Sequence, residues 1–120
     1  MKQAKAAGTA RENQLKKQLE GEGWVVVRSP ASGSPVDLWA MKQAKLKYAL
    51  VEFGRWGQAC EIKAIQLKAN TGSPWMNFRK AERQELLEIA ERAGATPWLV
   101  HWPPRRAATW YTPSEWPKNP

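Results

Sequence analysis

Three side chains of this sequence could do chemistry together: Asp37, Gln66 and Lys68. Asp37 opens the apolar run Leu38-Trp39-Ala40, directly after a polar loop from Ser29 to Pro35. A carboxylate in such surroundings is costly unless a cation pairs with it. Gln66 and Lys68 stand two apart in Ala64-Ile65-Gln66-Leu67-Lys68, so in a strand they share a face. An aspartate, an amide oxygen and an ammonium at one place suit metal-assisted phosphodiester hydrolysis. A hard cation such as Mg²⁺, with Mn²⁺ substituting, takes oxygen ligands and activates water. Asp37 is the first expected ligand, and Gln66 offers an uncharged, weaker one. The Lys68 ammonium would hold the attacking water and stabilise charge building on the phosphate.

Other residues compete for these roles. Glu61-Ile62-Lys63 also places a carboxylate two residues before a lysine, and Glu52 follows the apolar run Tyr48-Ala49-Leu50-Val51. Glu61 and Lys63 have the opposite strand parity to Gln66 and Lys68, so without a bulge the two pairs face opposite ways. A hybrid, with Glu52 or Glu61 supplying a carboxylate beside Lys68, stays open. Simpler readings also exist: Asp37 capping a turn, and Gln66 with Lys68 as an ordinary edge-strand pair.

The elements that must position these groups follow from periodicity. Residues 1–8 read as a basic, frayed arm. Thr9-Ala10-Arg11-Glu12 fits a capping box that opens a helix to about Glu22, with Leu15 and Leu19 on one face and Gly21 and Gly23 at its end. Strands are expected at Trp24 to Arg28, Val36 to Met41, Ala59 to Ala69, Pro97 to Trp102 and Ala108 to Thr112. A further strand is expected at Tyr48 to Phe53, within a β insertion or an extended β-hairpin over 41–63. A second helix runs from Phe78 to Ala93, with Leu86, Leu87, Ile89, Ala90 and Ala93 on its apolar face and Gly94 as the stop. Its charges, among them Lys80, Glu82, Arg83 and Glu88, read as a solvated face. Residues 113–120 read as a loose Trp/Pro tail. This order of helix, strands, helix, strand, strand implies one α/β domain with a mixed central sheet flanked by helices.

The chain has 120 residues, 19 Lys+Arg against 11 Asp+Glu, and a formal net charge of +8. A small basic domain points to a polyanionic partner, most often nucleic acid. A single cysteine, Cys60, excludes an intrachain disulfide and a cysteine-rich zinc site. The single histidine, His101, lies in an apolar run and reads as structural. The eight tryptophans are expected mostly in the core or at a dimer surface. No long apolar segment or signal peptide is evident, so an intracellular, cytoplasmic protein with no membrane partner is expected.

The blocks RENQLKKQLEGEGWVVVRSPASGSPVDLWA and AIQLKANTGSPWMNFRKAERQELLEIAERAGATPWLV resemble the archaeal-type Holliday junction resolvases, within the PD-(D/E)XK nuclease superfamily. The specific part is Arg28-Ser29-x-x-Ser32-Gly33-Ser34-x-x-Asp37. The resemblance implies a restriction-endonuclease-like fold, a metal-dependent endonuclease cutting branched double-stranded DNA, and a homodimer with two active sites for paired cuts. It implies that Glu12 completes the site from across the sheet as a third metal ligand, beside Asp37 and Gln66. The spacing from Lys68 to the strand at Pro97 fits the family's spacing after its catalytic lysine. The departure is Gln66, where the family carries glutamate. That leaves two alternatives: a non-catalytic junction-binding protein, or a nuclease of other branched or damaged DNA. Arg28, Ser32 and Ser34 could meet phosphates, with Lys5, Arg11, Arg79 and Lys80 as further basic contacts. Apolar residues of Trp98 to Trp102 are candidates for the dimer surface.

Overall fold

A computed structural model describes residues 2–29, 34–44 and 59–117. Leu15 and Leu19 place one apolar stripe on the first helix, α1 (Lys2–Gly21). The helix starts at Lys2, not at Thr9. Lysine, glutamine and alanine are good helix formers, and they carry the helix through residues 2–8 despite Gly8. Thr9 is therefore interior to the helix, and the expected capping box with Glu12 does not exist. Past Gly21 the chain turns at Gly23, whose φ of +98° suits glycine, and the Trp24 amide bonds back to the Leu19 carbonyl.

Among the described residues five strands follow: β1 (Val25–Arg28), β2 (Leu38–Ala44), β3 (Ala59–Lys68), β4 (Thr96–His101) and β5 (Thr109–Tyr111). They form one sheet in the order β1-β2-β3-β4-β5. β3 and β4 are parallel and every other pair is antiparallel. A parallel pair needs a crossover, and α2 (Lys80–Ala93) supplies it. β2 and β3 pair as far as Ala44 with Ala59. Residues 41–44 and 59–63 thus continue two core strands as an antiparallel pair, which is the extended form of the hairpin expected there; the expected strand at Tyr48 to Phe53 lies outside the described residues.

The sheet separates two cores. On one face Leu15 and Leu19 of α1 pack on Val26, Leu38, Ala40, Ile65, Leu67 and Val100. On the other, Leu86 and Ala90 of α2 pack on Val36, Ala64, Phe78, Leu99 and Trp116. Each fully buried Leu or Phe here contributes roughly 1.5–3 kcal/mol. Gly94 stops α2 in the left-handed conformation, with φ of +67°. The segment after β5 is not a loose tail through Pro117: Trp116 is 6% exposed, and its ring meets Phe78 edge-on at 4.9 Å. A large indole that finds an apolar pocket holds the chain end down.

Among the described residues, the tryptophans serve the core. Trp24, Trp98, Trp102 and Trp110 line the α1 side, and Trp39 and Trp75 the α2 side. Trp98 and Trp102, in the run expected to supply a dimer surface, are only partly buried there. β4 lies between β3 and β5, Leu99 and Val100 are fully buried, and the tryptophans are packed within the chain.

Candidate active site

The site forms where β2 begins and β3 ends. Asp37 stands just before β2, and its backbone N–H donates to the Ile65 carbonyl at 2.8 Å. Its Oδ2 accepts the Leu67 N–H at 2.7 Å, so the side chain continues the β2–β3 ladder where the β2 backbone departs. Burial is the main reason that the Asp37 pKa is raised from 3.8 to about 6. The Leu67 N–H opposes that shift, the charges of Glu12 and Glu82 reinforce it, and that of Lys68 opposes it. A carboxylate kept in an unfavourable setting, beside a lysine and two acids, is a recurrent property of functional sites.

Gln66 and Lys68 leave β3 on the face that α2 covers. The Gln66 side chain is buried, 7% exposed, and its Nε2 donates to Glu82 Oε2 at 3.2 Å. Its Oε1 is buried with no hydrogen-bond partner among the described residues. Such an orphan costs about 1–3 kcal/mol and calls for an electrophile. Lys68 Nζ reaches the same Glu82 oxygen at 3.4 Å. Strand parity sends Gln66 and Lys68 toward α2, whereas Ile65 and Leu67 point to the α1 core.

Glu61 and Lys63, the second choices, lie on that opposite face. They pair with each other at 3.7 Å. The Lys63 ammonium sits 4.7 Å from the Trp98 ring centre, 5.0 Å from Trp24 and 5.8 Å from Trp110. It is a cation capping an aromatic cluster, separated by the sheet from Asp37 and Lys68. Glu52 lies outside the described residues, as does Ser32.

Glu12 reaches toward the site from α1 and is bound by Arg28, whose Nη2 and Nε lie 3.0 and 3.1 Å from Glu12 Oε1. Arg28 also donates to Asn13 Oδ1 at 3.4 Å. Of the expected DNA-contacting groups, Arg11 is engaged within the chain. It donates to Gln14 Oε1 at 2.8 Å and to the Pro103 carbonyl at 3.0 Å, and it lies 4.8 Å above the Trp102 ring. The Ser34 hydroxyl accepts the Val36 N–H at 3.2 Å, shaping the turn into Asp37. Arg79 and Lys80 are exposed at the start of α2. Lys5 lies in the first turns of α1. His101 is buried with Nε2 2.9 Å from the Asn70 carbonyl oxygen, a structural role.

A residue that sequence reasoning set aside is Glu82. Expected on a solvated face, it faces the sheet instead. The signal was its spacing: Glu82, Leu86 and Ala90 stand four apart, and the latter two are buried against the sheet. An acid on the core-facing stripe of a helix needs a partner, and here Gln66 and Lys68 provide it.

A sequence model of the archaeal Holliday junction resolvase (Hjc) family matches residues 3–118. This chain belongs to that family. As an Hjc-family chain it also matches a solved structure: Archaeoglobus fulgidus Hjc, a Holliday junction resolvase from an archaeal hyperthermophile. The TM-score is 0.68 at 21% identity, over 93% of this chain and 84% of that one, a likeness of fold. No curated protein matches the chain. No helix of the described residues is long and apolar enough to cross a membrane.

Proposed function

We propose that this Hjc-family chain is a metal-assisted endonuclease that resolves four-way DNA junctions by phosphodiester hydrolysis. The observation that carries this reading is the meeting of Asp37, Gln66 and Lys68 on one side of the sheet. One is a carboxylate held at an elevated pKa, one presents an orphaned amide oxygen, and one is a lysine.

These residues fit a divalent cation. The buried Gln66 Oε1 has no hydrogen-bond partner among the described residues, and Asp37 adds a hard anionic oxygen. Asp37 and Gln66 would hold Mg²⁺, or Mn²⁺ in its place, with Glu12 contributing from α1. When bound, such an ion lowers the pKa of its water and offsets phosphate charge. Lys68 orients the attacking water and donates to the phosphate oxygen on which charge builds. Arg28, exposed beside Glu12, and the net charge of +8 favour backbone contacts that are blind to base sequence. Reading by backbone suits an enzyme that recognises branched shape. Paired cuts across a near-symmetric junction require two sites, so the working form is a homodimer.

The test is a synthetic four-way junction incubated with Mg²⁺, alongside duplex, flap and damaged substrates. Paired nicks near the branch point are expected. Cleavage of another branched substrate in preference would reassign the target. Gln66 in place of an acid favours one rival, a non-catalytic junction-binding protein. Tight junction binding with no cleavage in either Mg²⁺ or Mn²⁺ would establish that rival. Light scattering of the junction complex should give two chains per junction; a single chain would remove the dimer.

A further inference from the structure

Among the described residues, no three His, Cys, Asp or Glu side chains lie close enough together to hold a metal ion. The strand position that should supply the second acid carries Gln66. Yet a carboxylate stands at that place in space. Glu82, from α2, lies 3.2 Å from Gln66 Nε2 and 3.4 Å from Lys68 Nζ. Its charge also acts on Asp37. It thus touches two of the three groups gathered above and acts electrostatically on the third.

We infer that Glu82 is a catalytic residue of this chain, the metal-ligating carboxylate that the Gln66 position lacks, supplied from the helix instead of the strand. The inference rests on the nuclease reading above and deepens it. Two independent observations point to a ligand. The Gln66 amide oxygen is buried, unpartnered among the described residues and carried by the same amide that bonds Glu82. Glu82 itself keeps 36% of its side chain exposed, so a cation arriving from solvent can reach it. Asp37, Glu82 and the Gln66 oxygen then make a donor set with two negative charges, the charge an aspartate with a strand glutamate would provide. Hard cations respond to that count more than to which element carries it. Lys68 and Gln66 hold Glu82 in the meantime, a role they can give up when a cation binds because Lys68 also has a phosphate to serve.

The experiment moves the charge back. Glu82→Gln, Gln66→Glu and the double variant Gln66→Glu/Glu82→Gln are compared with wild type, with exposed Glu88→Gln as the helix control. Two readouts are taken: Mn²⁺ affinity by calorimetry without DNA, and cleavage of a four-way junction. Glu82→Gln should lose at least about 10–100-fold in Mn²⁺ affinity, the range lost when even a group that only orients a ligand is removed. Its cleavage should fall with it. The double variant should recover most of both, and Gln66→Glu alone should bind more tightly than wild type. Circular dichroism melts establish that each variant is folded, and the double variant carries the test if Glu82→Gln alone folds poorly. Glu82→Gln with wild-type Mn²⁺ affinity, or a double variant no better than Glu82→Gln, overturns the assignment and leaves Glu82 as a tether for Lys68. If wild type cuts junctions while Glu82→Gln is indifferent in both readouts, only this inference falls. If wild type neither binds Mn²⁺ nor cuts, the nuclease reading falls and takes the inference with it.

Discussion

Removing the charge of Asp37 while keeping its shape should stabilise the metal-free protein. Burial, reinforced by Glu12 and Glu82, raises the carboxyl pKa from 3.8 to about 6 against the opposing Leu67 N–H and Lys68. A native group that holds its proton more tightly than the unfolded chain gives stability that is complete below the unfolded pKa. That stability is lost as pH rises through the folded one. Wild-type stability should therefore fall between about pH 4 and 6 on this account and level off above about pH 7. The difference between 3.8 and about 6 corresponds to about 3 kcal/mol at most. Asn at this position keeps an oxygen for the Leu67 N–H and turns an amide toward two acids. At an unfolding entropy of about 2.1 cal/mol/K per residue, 120 residues give a rise in Tm of roughly 10 °C for Asp37→Asn at about pH 8. The assay is thermal unfolding with chelator across pH, then with Mg²⁺. Mg²⁺ should raise the Tm of wild type and leave that of Asp37→Asn nearly unmoved. A metal-free Asp37→Asn less stable than wild type at about pH 8, or one sharing its pH slope, would refute the reasoning.

Lys68→Ala should reduce single-turnover cleavage by about 100-fold or more, while gel-shift affinity for the junction changes far less, since one phosphate contact is a small share of several. Lys63→Ala and Glu61→Ala should cut at near wild-type rates, because the sheet separates both from Lys68. Urea titration of Lys63→Ala should nonetheless show a loss of about 1 kcal/mol, as the ammonium caps three indole rings. Trp116→Ala should cost about 3 kcal/mol in the same titration; an unchanged midpoint would mean that the chain end is dispensable.

Much of this fold was legible because its patterns are local. Alternation marked β3, the four-residue spacing of Leu15 and Leu19 marked the α1 face, and Gly94 marked the end of α2. Parity alone separated Lys63 from Lys68. The errors arose where a local signal met a competing one. Thr9 and Glu12 match a capping box, but the preceding lysines and alanines favour helix strongly enough to absorb them. Trp116 sits among prolines, and its pocket is built by Phe78 of another segment, which no local pattern reveals. Glu82 reads as part of a polar face with Lys80, Arg83 and Glu88; only registration with Leu86 and Ala90 turns it inward. The pairing of Gln66 with Glu82 joins a strand to a helix, so a search for an acid two residues before a lysine would miss it.

The bond from the Leu67 amide to Asp37 Oδ2 has a consequence for isotope exchange. The last rung of the β2–β3 ladder ends on a titratable side chain, so this amide proton meets solvent only when the carboxylate lets go. Deuterium uptake at Leu67 is thus a clock for the release of Asp37, readable peptide by peptide without DNA. A cation that draws the carboxylate away speeds that clock, and one that binds the other oxygen slows it.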